Sequence, residues 1–145
     1  MDDEVRKKLI SLAQLDKDAV AAYNDALRDV HDDEVRENFA DFRDEHEHHA
    51  TVISTAIERL GLKMPQLKVD TVGHFAEWVV SFQSALGEKG PLHAMRTAET
   101  YHNARYKAAI DWQIDDQDLA ASIRAFYAEE QHHLAFMEER LRVRA

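Results

Sequence analysis

The residues best suited to chemistry are histidines and carboxylates spaced three positions apart. Three pairs with this spacing fall within the apolar stripes of predicted helices: His46-x-x-His49, Glu99-x-x-His102 and Glu130-x-x-His133. In an α-helix, positions three apart lie on one face, about one turn from each other. Imidazole nitrogens and carboxylate oxygens held in this way are ligands for transition metals. Inward-pointing pairs of this kind build dinuclear metal sites in helical bundles.

Four amphipathic helices are predicted to position these pairs. A helical wheel with 100° per residue gives apolar stripes over residues 4–30, 33–60, 91–114 and 117–142. Short links make two antiparallel hairpins of the first and second helices and of the third and fourth. Residues 61–90 form one long crossover, with a short extra helix expected at 75–86. This pattern predicts a single all-α domain, a four-helix bundle of ferritin-like topology, and we find no internal repeat in the sequence.

Polar residues interrupt each apolar stripe near the middle of its helix. Asp16 interrupts the first stripe, and one of the three pairs interrupts each of the others. On the wheel these residues lie within about 40° of their stripe centres, except His133 at about 70°. The residues flanking the interruptions are Leu12, Ala19, Phe42, Ile53, Met95, Tyr106, Phe126 and Met137. We therefore expect one buried polar layer between two apolar layers.

Burying three carboxylates and four imidazoles in one layer is costly unless something compensates them. Metal coordination is one compensation, and a hydrogen-bonded polar layer without metal is the alternative. Two divalent ions carry four positive charges, and the three carboxylates carry three negative charges. One hydroxide ion would neutralise the remaining positive charge. A donor set richer in imidazole than in carboxylate suits Fe(II), Mn(II), Zn(II) and copper.

Composition excludes several other classes of protein. The 145 residues include 18 Lys and Arg, 28 Asp and Glu, nine His and no Cys, giving a net charge of −10. This acidity argues against a nucleic-acid partner, and the lack of cysteine excludes iron–sulfur clusters and zinc ribbons. Without an apolar run of about 18 residues or a basic N-terminal region, the sequence predicts no membrane segment and a cytoplasmic location.

The pattern of these residues resembles that of the ferritin-like superfamily. The resemblance is strongest to the erythrin domain of rubrerythrins and related small bacterial stress proteins. That family has a carboxylate on its first helix, followed by Ala at +3 and Tyr at +7. Asp16, Ala19 and Tyr23 keep this spacing, with Asp in place of the usual Glu. Glu99 matches the carboxylate of the family's third helix, and Glu130-x-x-His133 matches the fourth.

The second helix departs from the family pattern. The family has Glu-x-x-His there, which Glu45-x-x-His48 matches literally, but His48 points about 130° away from the apolar stripe. We therefore assign His46 and His49 to the core and keep Glu45 as an additional ligand or an outer partner. Tyr23 is either a core residue or a partner of a ligand carboxylate.

The remaining polar residues near the pairs are expected to have ordinary roles. We expect Glu129 to be solvated charge and Tyr106 to be a packing residue. Five histidines fall off the apolar faces and are predicted to lie at the surface: His31, His48, His74, His93 and His132.

The resemblance implies a dinuclear centre of two divalent ions, with iron favoured and Mn, Zn and Cu as alternatives. Its ligands would be Asp16, His46, His49, Glu99, His102, Glu130 and His133. Such a centre would reduce O₂ or peroxide, or oxidise Fe(II), with electrons from a separate donor, and a homodimer is expected. The competing class is a non-enzymatic metal-binding or structural stress protein with zinc or no metal in the layer.

Overall fold

The protein folds as a bundle of four α-helices in a computed structural model that describes residues 1–69 and 87–143. The helices are α1 (Asp3–Leu27), α2 (Asp33–Arg59), α3 (Gly90–Ile110) and α4 (Gln117–Val143), with a 3₁₀ turn at Gly87–Lys89. Helix α1 packs on α2 and α3 on α4, while α1 also meets α3 and α2 meets α4. The predicted all-α bundle is confirmed. The short helix expected at 75–86 lies outside the described residues.

Side-chain caps fix where three of the helices begin. Asp2 accepts a hydrogen bond from the backbone N–H of Glu4, and Asp32 accepts one from Val35. Asp116 does the same for Leu119 at the start of α4, at 2.9 Å. Each cap satisfies a backbone donor that has no partner within its helix. Helix α2 ends in the left-handed conformation of Gly61 (φ 75°), which glycine adopts without steric cost.

Helices α1 and α3 end three and four residues earlier than the wheel predicts. At these ends the backbone N–H groups donate to carbonyl oxygens three residues earlier. Arg28 donates to Asp25 and Asp111 to Ala108, both at 3.2 Å. This tighter bonding pattern is typical of a terminating helix. Val30 and Ile114 beyond these ends are nevertheless buried. The apolar pattern continued past the helices because the following loops also cover the core.

The core consists of two apolar clusters. One contains Leu12, Ile53, Tyr106 and Phe126, and the other contains Tyr23, Phe42, Met95 and Met137. All eight residues that flank the stripe interruptions are at most 4% exposed. Each helix contributes to both clusters, so the interruptions lie between them, as the sequence predicts.

Candidate metal centre

All seven predicted ligands lie in the interior of the bundle. Their exposed fractions are at most 1% for Asp16, His46, His49, Glu99, His102, Glu130 and His133. The four helices thus bring three carboxylates and four imidazoles together between the two apolar clusters. Their binding of metal stays a prediction.

Six of the seven side chains form two overlapping groups of donor atoms. The first group is Asp16, His46, His49 and Glu130, and the second is His46, Glu99, Glu130 and His133. In each group one donor atom per residue lies within 4.8 Å of the other three. His46 and Glu130 belong to both groups, so the two donor sets adjoin each other.

The carboxylate of Glu130 lies between the two groups. Its Oε1 is 3.3 Å from Nδ1 of His49, and its Oε2 is 3.6 Å from Nδ1 of His133. Neither oxygen has a hydrogen-bond partner, although both are buried. Each oxygen therefore faces the histidine of a different group, an arrangement suited to a carboxylate that bridges two ions.

The ring of His46 connects the carboxylates of α1 and α3. Its Nδ1 lies 2.7 Å from Oδ1 of Asp16, and its Nε2 lies 2.9 Å from Oε1 of Glu99. Both ring nitrogens are engaged by acceptors on opposite sides. His46 therefore crosses the layer from one helical hairpin to the other.

His102 is close to the second group without belonging to it. Its Nδ1 lies 3.5 Å from Oε1 of Glu99 and 3.9 Å from Oε2 of Glu130. Both of its ring nitrogens are buried without a hydrogen-bond partner. Of the seven predicted ligands, His102 is the one that lies at the margin of the layer.

Two tyrosines hold carboxylates of the predicted ligand set by hydrogen bonds. Tyr23 donates to Oε1 of Glu99 at 2.6 Å, and Tyr106 donates to Oδ2 of Asp16. The partnership of Tyr23 with a candidate ligand is one of the two roles the sequence left open. Tyr106 does pack in the core, but its bond to Asp16 was missed. Its spacing of seven residues from Glu99 repeats that of Tyr23 from Asp16 and could have revealed it.

Two outer carboxylates contact the histidines from the side of the solvent. Oε2 of Glu45 lies 3.4 Å from Nε2 of His133, and Oε1 of Glu129 lies 3.3 Å from Nε2 of His49. The expectation that Glu129 is merely solvated charge is wrong, because its side chain is two-thirds buried against His49. Glu129 precedes His133 by four residues, as Glu45 precedes His49, and this repeated spacing was the available signal.

The two hairpins place equivalent residues at equivalent positions. Helix α4 begins 84 residues after α2, and both helices have 27 residues. Glu130 thereby occupies in α4 the place that His46 occupies in α2, and His133 corresponds to His49. The sequence showed no repeat because few identities are kept. The correspondence lies in helical position and burial.

The surface prediction holds for three of the other histidines. His31, His48 and His132 are exposed, whereas His93 is partly buried. His74 lies outside the described residues.

Mutual attraction dominates the electrostatics of the buried layer. Burial alone would lower the pKa of His46, but the charges of Glu130 and Glu99 outweigh it and raise the pKa to about 9. Burial is likewise overcome at His49 by its hydrogen bonds to Asp16 and Glu129, and the pKa rises to about 11. For His133, the nearby carboxylates of Glu130 and Glu45 overcome burial and raise the pKa to about 12.

The pKa values of two carboxylates in the layer shift in the opposite direction. Burial would raise the pKa of Asp16, but hydrogen bonds from His46 and His49 hold it below the ordinary value. The pKa of Glu99 is also lowered despite burial, by the charges of His46 and His102. Without metal, the charged imidazoles of His46, His49 and His133 therefore face the carboxylates of Asp16 and Glu99.

The donor set fits a metal centre because much of its hydrogen-bonding capacity is unused. Within residues 1–69 and 87–143, the atoms of this donor set that are buried without a hydrogen-bond partner are Oε2 of Glu99, both carboxylate oxygens of Glu130 and the ring nitrogens of His102 and His133. Buried polar groups are nearly always partnered, since each unmet one costs about 1–3 kcal/mol. Coordination of divalent ions would satisfy these atoms.

The four helices and their pairing define a bundle with a ferritin-like fold. The chain belongs to the DUF2383 family, described as a domain of unknown function, whose sequence pattern matches residues 4–112. No curated protein matches the chain.

One solved structure with a similar fold is described as a dodecameric thioferritin, the bacterioferritin-related protein from Bacteroides fragilis. It has a TM-score of 0.75 and 19% identity, over 97% of this chain and 86% of that one. At this identity the likeness concerns the fold. Over residues 1–69 and 87–143, no helix is long and apolar enough to cross a membrane.

Proposed function

We propose that this protein binds two divalent metal ions in the buried layer and uses them in redox chemistry. The observation that carries the proposal is the pair of adjoining donor groups that share His46 and Glu130. A single ion needs one such group, whereas two groups that share a carboxylate are the arrangement expected for a dinuclear centre.

The chain's own residues divide between the two proposed ions. Asp16 and His49 would hold one ion, and Glu99 and His133 the other, with Glu130 between them. His46 is available to either ion, because its two nitrogens face opposite sides of the layer. His102 would complete the second set by a small movement toward Glu99, since its nitrogens are free of hydrogen bonds.

Iron is the metal we favour. The mixture of carboxylate and imidazole ligands suits iron, and it also suits Mn, Zn and Cu. Redox-active ions in this layer would supply electrons to O₂ or peroxide, or would accept them from Fe(II) as a substrate. The two apolar clusters exclude bulk water from the layer, and Tyr23 and Tyr106 fix the carboxylates of Glu99 and Asp16.

The proposed partners follow from the same chemistry. A small oxidant or Fe(II) is the substrate, and a separate protein or small reductant supplies electrons, because the sequence has no cysteine to hold an iron–sulfur or rubredoxin-type centre. We propose no nucleic-acid partner, because a net charge of −10 disfavours binding to phosphate groups. We also propose that the protein is a cytoplasmic homodimer, because its sequence resembles the rubrerythrin group.

A second candidate function is a structural or stress protein whose layer holds zinc or no metal. One observation favours it: the charged imidazoles of His46, His49 and His133 already face buried carboxylates, so ion pairs compensate much of the buried charge without any metal. Stability would then come from ion pairs, and no redox chemistry would follow.

Metal analysis and visible spectroscopy distinguish the two functions. The protein is purified without chelator, its metals are counted, and its spectrum is recorded before and after peroxide. Two irons per chain and a spectral change driven by peroxide support the redox centre. Stoichiometric zinc, or metal-free protein that takes up no iron, with no response to peroxide, contradicts it.

A further inference from the structure

Two carboxylates lie at the boundary between the buried layer and solvent. Glu45 on α2 and Glu129 on α4 have side chains that are 33% and 32% exposed. The seven residues of the layer are at most 1% exposed. Glu45 and Glu129 are therefore the groups in contact with the layer that a hydrated cation can reach first.

Each outer carboxylate contacts a histidine of the opposite helix. Glu45 on α2 reaches His133 on α4 at 3.4 Å, and Glu129 on α4 reaches His49 on α2 at 3.3 Å. The two contacts cross the seam between α2 and α4 in opposite directions.

The two histidines connect this seam to the interior. Both present Nε2 to an outer carboxylate and Nδ1 to Glu130, at 3.3 Å for His49 and 3.6 Å for His133. Nε2 of His133 is fully buried and has no hydrogen-bond partner among the residues that the structure describes, although it lies 3.4 Å from Oε2 of Glu45. A nitrogen in this position is available as a ligand on the outer side.

We propose that Glu45, Glu129 and the Nε2 atoms of His49 and His133 form an outer cation site through which divalent metal enters the buried layer. The inference depends on the proposed function, since it presumes that the layer takes up metal. Carboxylates and imidazoles are ligands for Fe(II), Mn(II), Co(II) and Zn(II). The acidic pair concentrates cations at the seam, and rotation of either imidazole carries the ion from its outer to its inner side.

An outer transit site and a site that only orients the histidines differ in their kinetics. A transit site lowers the barrier in both directions, so its removal slows uptake and also slows release. Removal of an orienting contact weakens the finished centre, so affinity falls and release becomes faster.

The test compares E45Q/E129Q with the matched control E37Q/E138Q. Each variant removes one charge from α2 and one from α4, and Glu37 and Glu138 are exposed positions outside the seam. Glutamine keeps the shape of the side chain, and circular dichroism checks the fold. Cobalt(II) chloride is the probe: uptake is followed by stopped-flow absorption, release by excess EDTA, and stoichiometry by titration.

We expect E45Q/E129Q to take up and release Co(II) about tenfold more slowly than wild type. The stoichiometry of two ions should stay unchanged, and E37Q/E138Q should behave like wild type in both rates. Unchanged rates in E45Q/E129Q overturn the transit site alone. Weaker affinity with faster release also overturns it and makes the pair orienting residues. Wild type that binds no Co(II) overturns the proposed function and the transit site together.

Discussion

The hydroxyl of Tyr23 on α1 donates a 2.6 Å hydrogen bond to Oε1 of Glu99 on α3. The reciprocal bond runs from Tyr106 on α3 to Asp16 on α1. In both cases the tyrosine comes seven residues after the carboxylate of its own helix and contacts the carboxylate of the other. These two crossed bonds connect the hairpins at the level of the buried layer.

Removing the first of these bonds should destabilise the metal-free protein. Tyr23→Phe keeps the edge-to-face contact with Phe39, at 5.3 Å between ring centroids. It deletes the donor to a buried carboxylate, which costs about 1–3 kcal/mol of unfolding free energy. Urea denaturation measures the loss. Tyr101→Phe at an exposed position is the control, and an equal effect of both substitutions would refute the specific role of Tyr23.

Removing Glu130 and His133 together should abolish metal binding. Glu130 belongs to both donor groups, so its loss affects both ions. E130A/H133A deletes one acidic and one basic group, which keeps the charge of the metal-free layer balanced. We therefore expect less than one ion per chain by elemental analysis, with helical content largely retained by circular dichroism.

The matched control for E130A/H133A changes two exposed residues of the same helix. His132→Ala with Glu138→Ala removes the same two residue types from the exposed side of α4 and should keep full metal content. The single substitution Glu130→Gln preserves packing and provides a second, milder variant. Undiminished metal in both E130A/H133A and Glu130→Gln would show that the layer is not the metal site.

The fold and the burial of the layer could be predicted from the sequence, whereas its outer contacts could not. Helical periodicity places Asp16, His46 and Glu130 toward the core because burial follows the angle around the helix axis. His133 lies about 70° off its stripe, yet it is completely buried. At that angle, burial depends on the length of the side chain and on the position of the neighbouring helix. The periodicity of a single helix gives no information about the neighbouring helix.

Contacts between helices explain what the sequence missed. Glu129 is two-thirds buried because His49 of α2 lies opposite it, and Tyr106 bonds to Asp16 because α1 and α3 pack together. These pairings depend on the relative rotation of the helices. The equal spacing of Glu45 to His49 and of Glu129 to His133 was a partial signal in the sequence for the contacts of the outer carboxylates.

The metal-free protein should lose stability as the pH rises above neutrality. The folded pKa of His46 is about 9, against 6.5 as its ordinary value. A raised pKa contributes stability that is complete below pH 6.5 and is lost as the pH rises through 9. His46 alone accounts for on the order of 3 kcal/mol. Urea titrations of chelator-treated protein between pH 6 and 10 measure the decline, and a flat profile would contradict it.

Metal binding at neutral pH should release protons. His46, His49 and His133 have pKa values of about 9, 11 and 12, so all three are protonated at pH 7 before metal binds. A nitrogen must lose its proton to coordinate an ion. Full loading should therefore release up to about three protons per chain.

Calorimetric titration with Zn(II) at pH 7 counts these protons. The binding enthalpy is measured in buffers of different ionisation enthalpy, and the slope of one against the other gives the number released. We expect a slope between two and three, and the same slope for His132→Ala, because the exposed His132 lies outside the layer. A slope near zero would mean that the ions bind without displacing imidazolium protons. In that case Zn(II) binds elsewhere, since the three histidines cannot keep these protons and coordinate metal through the same nitrogens.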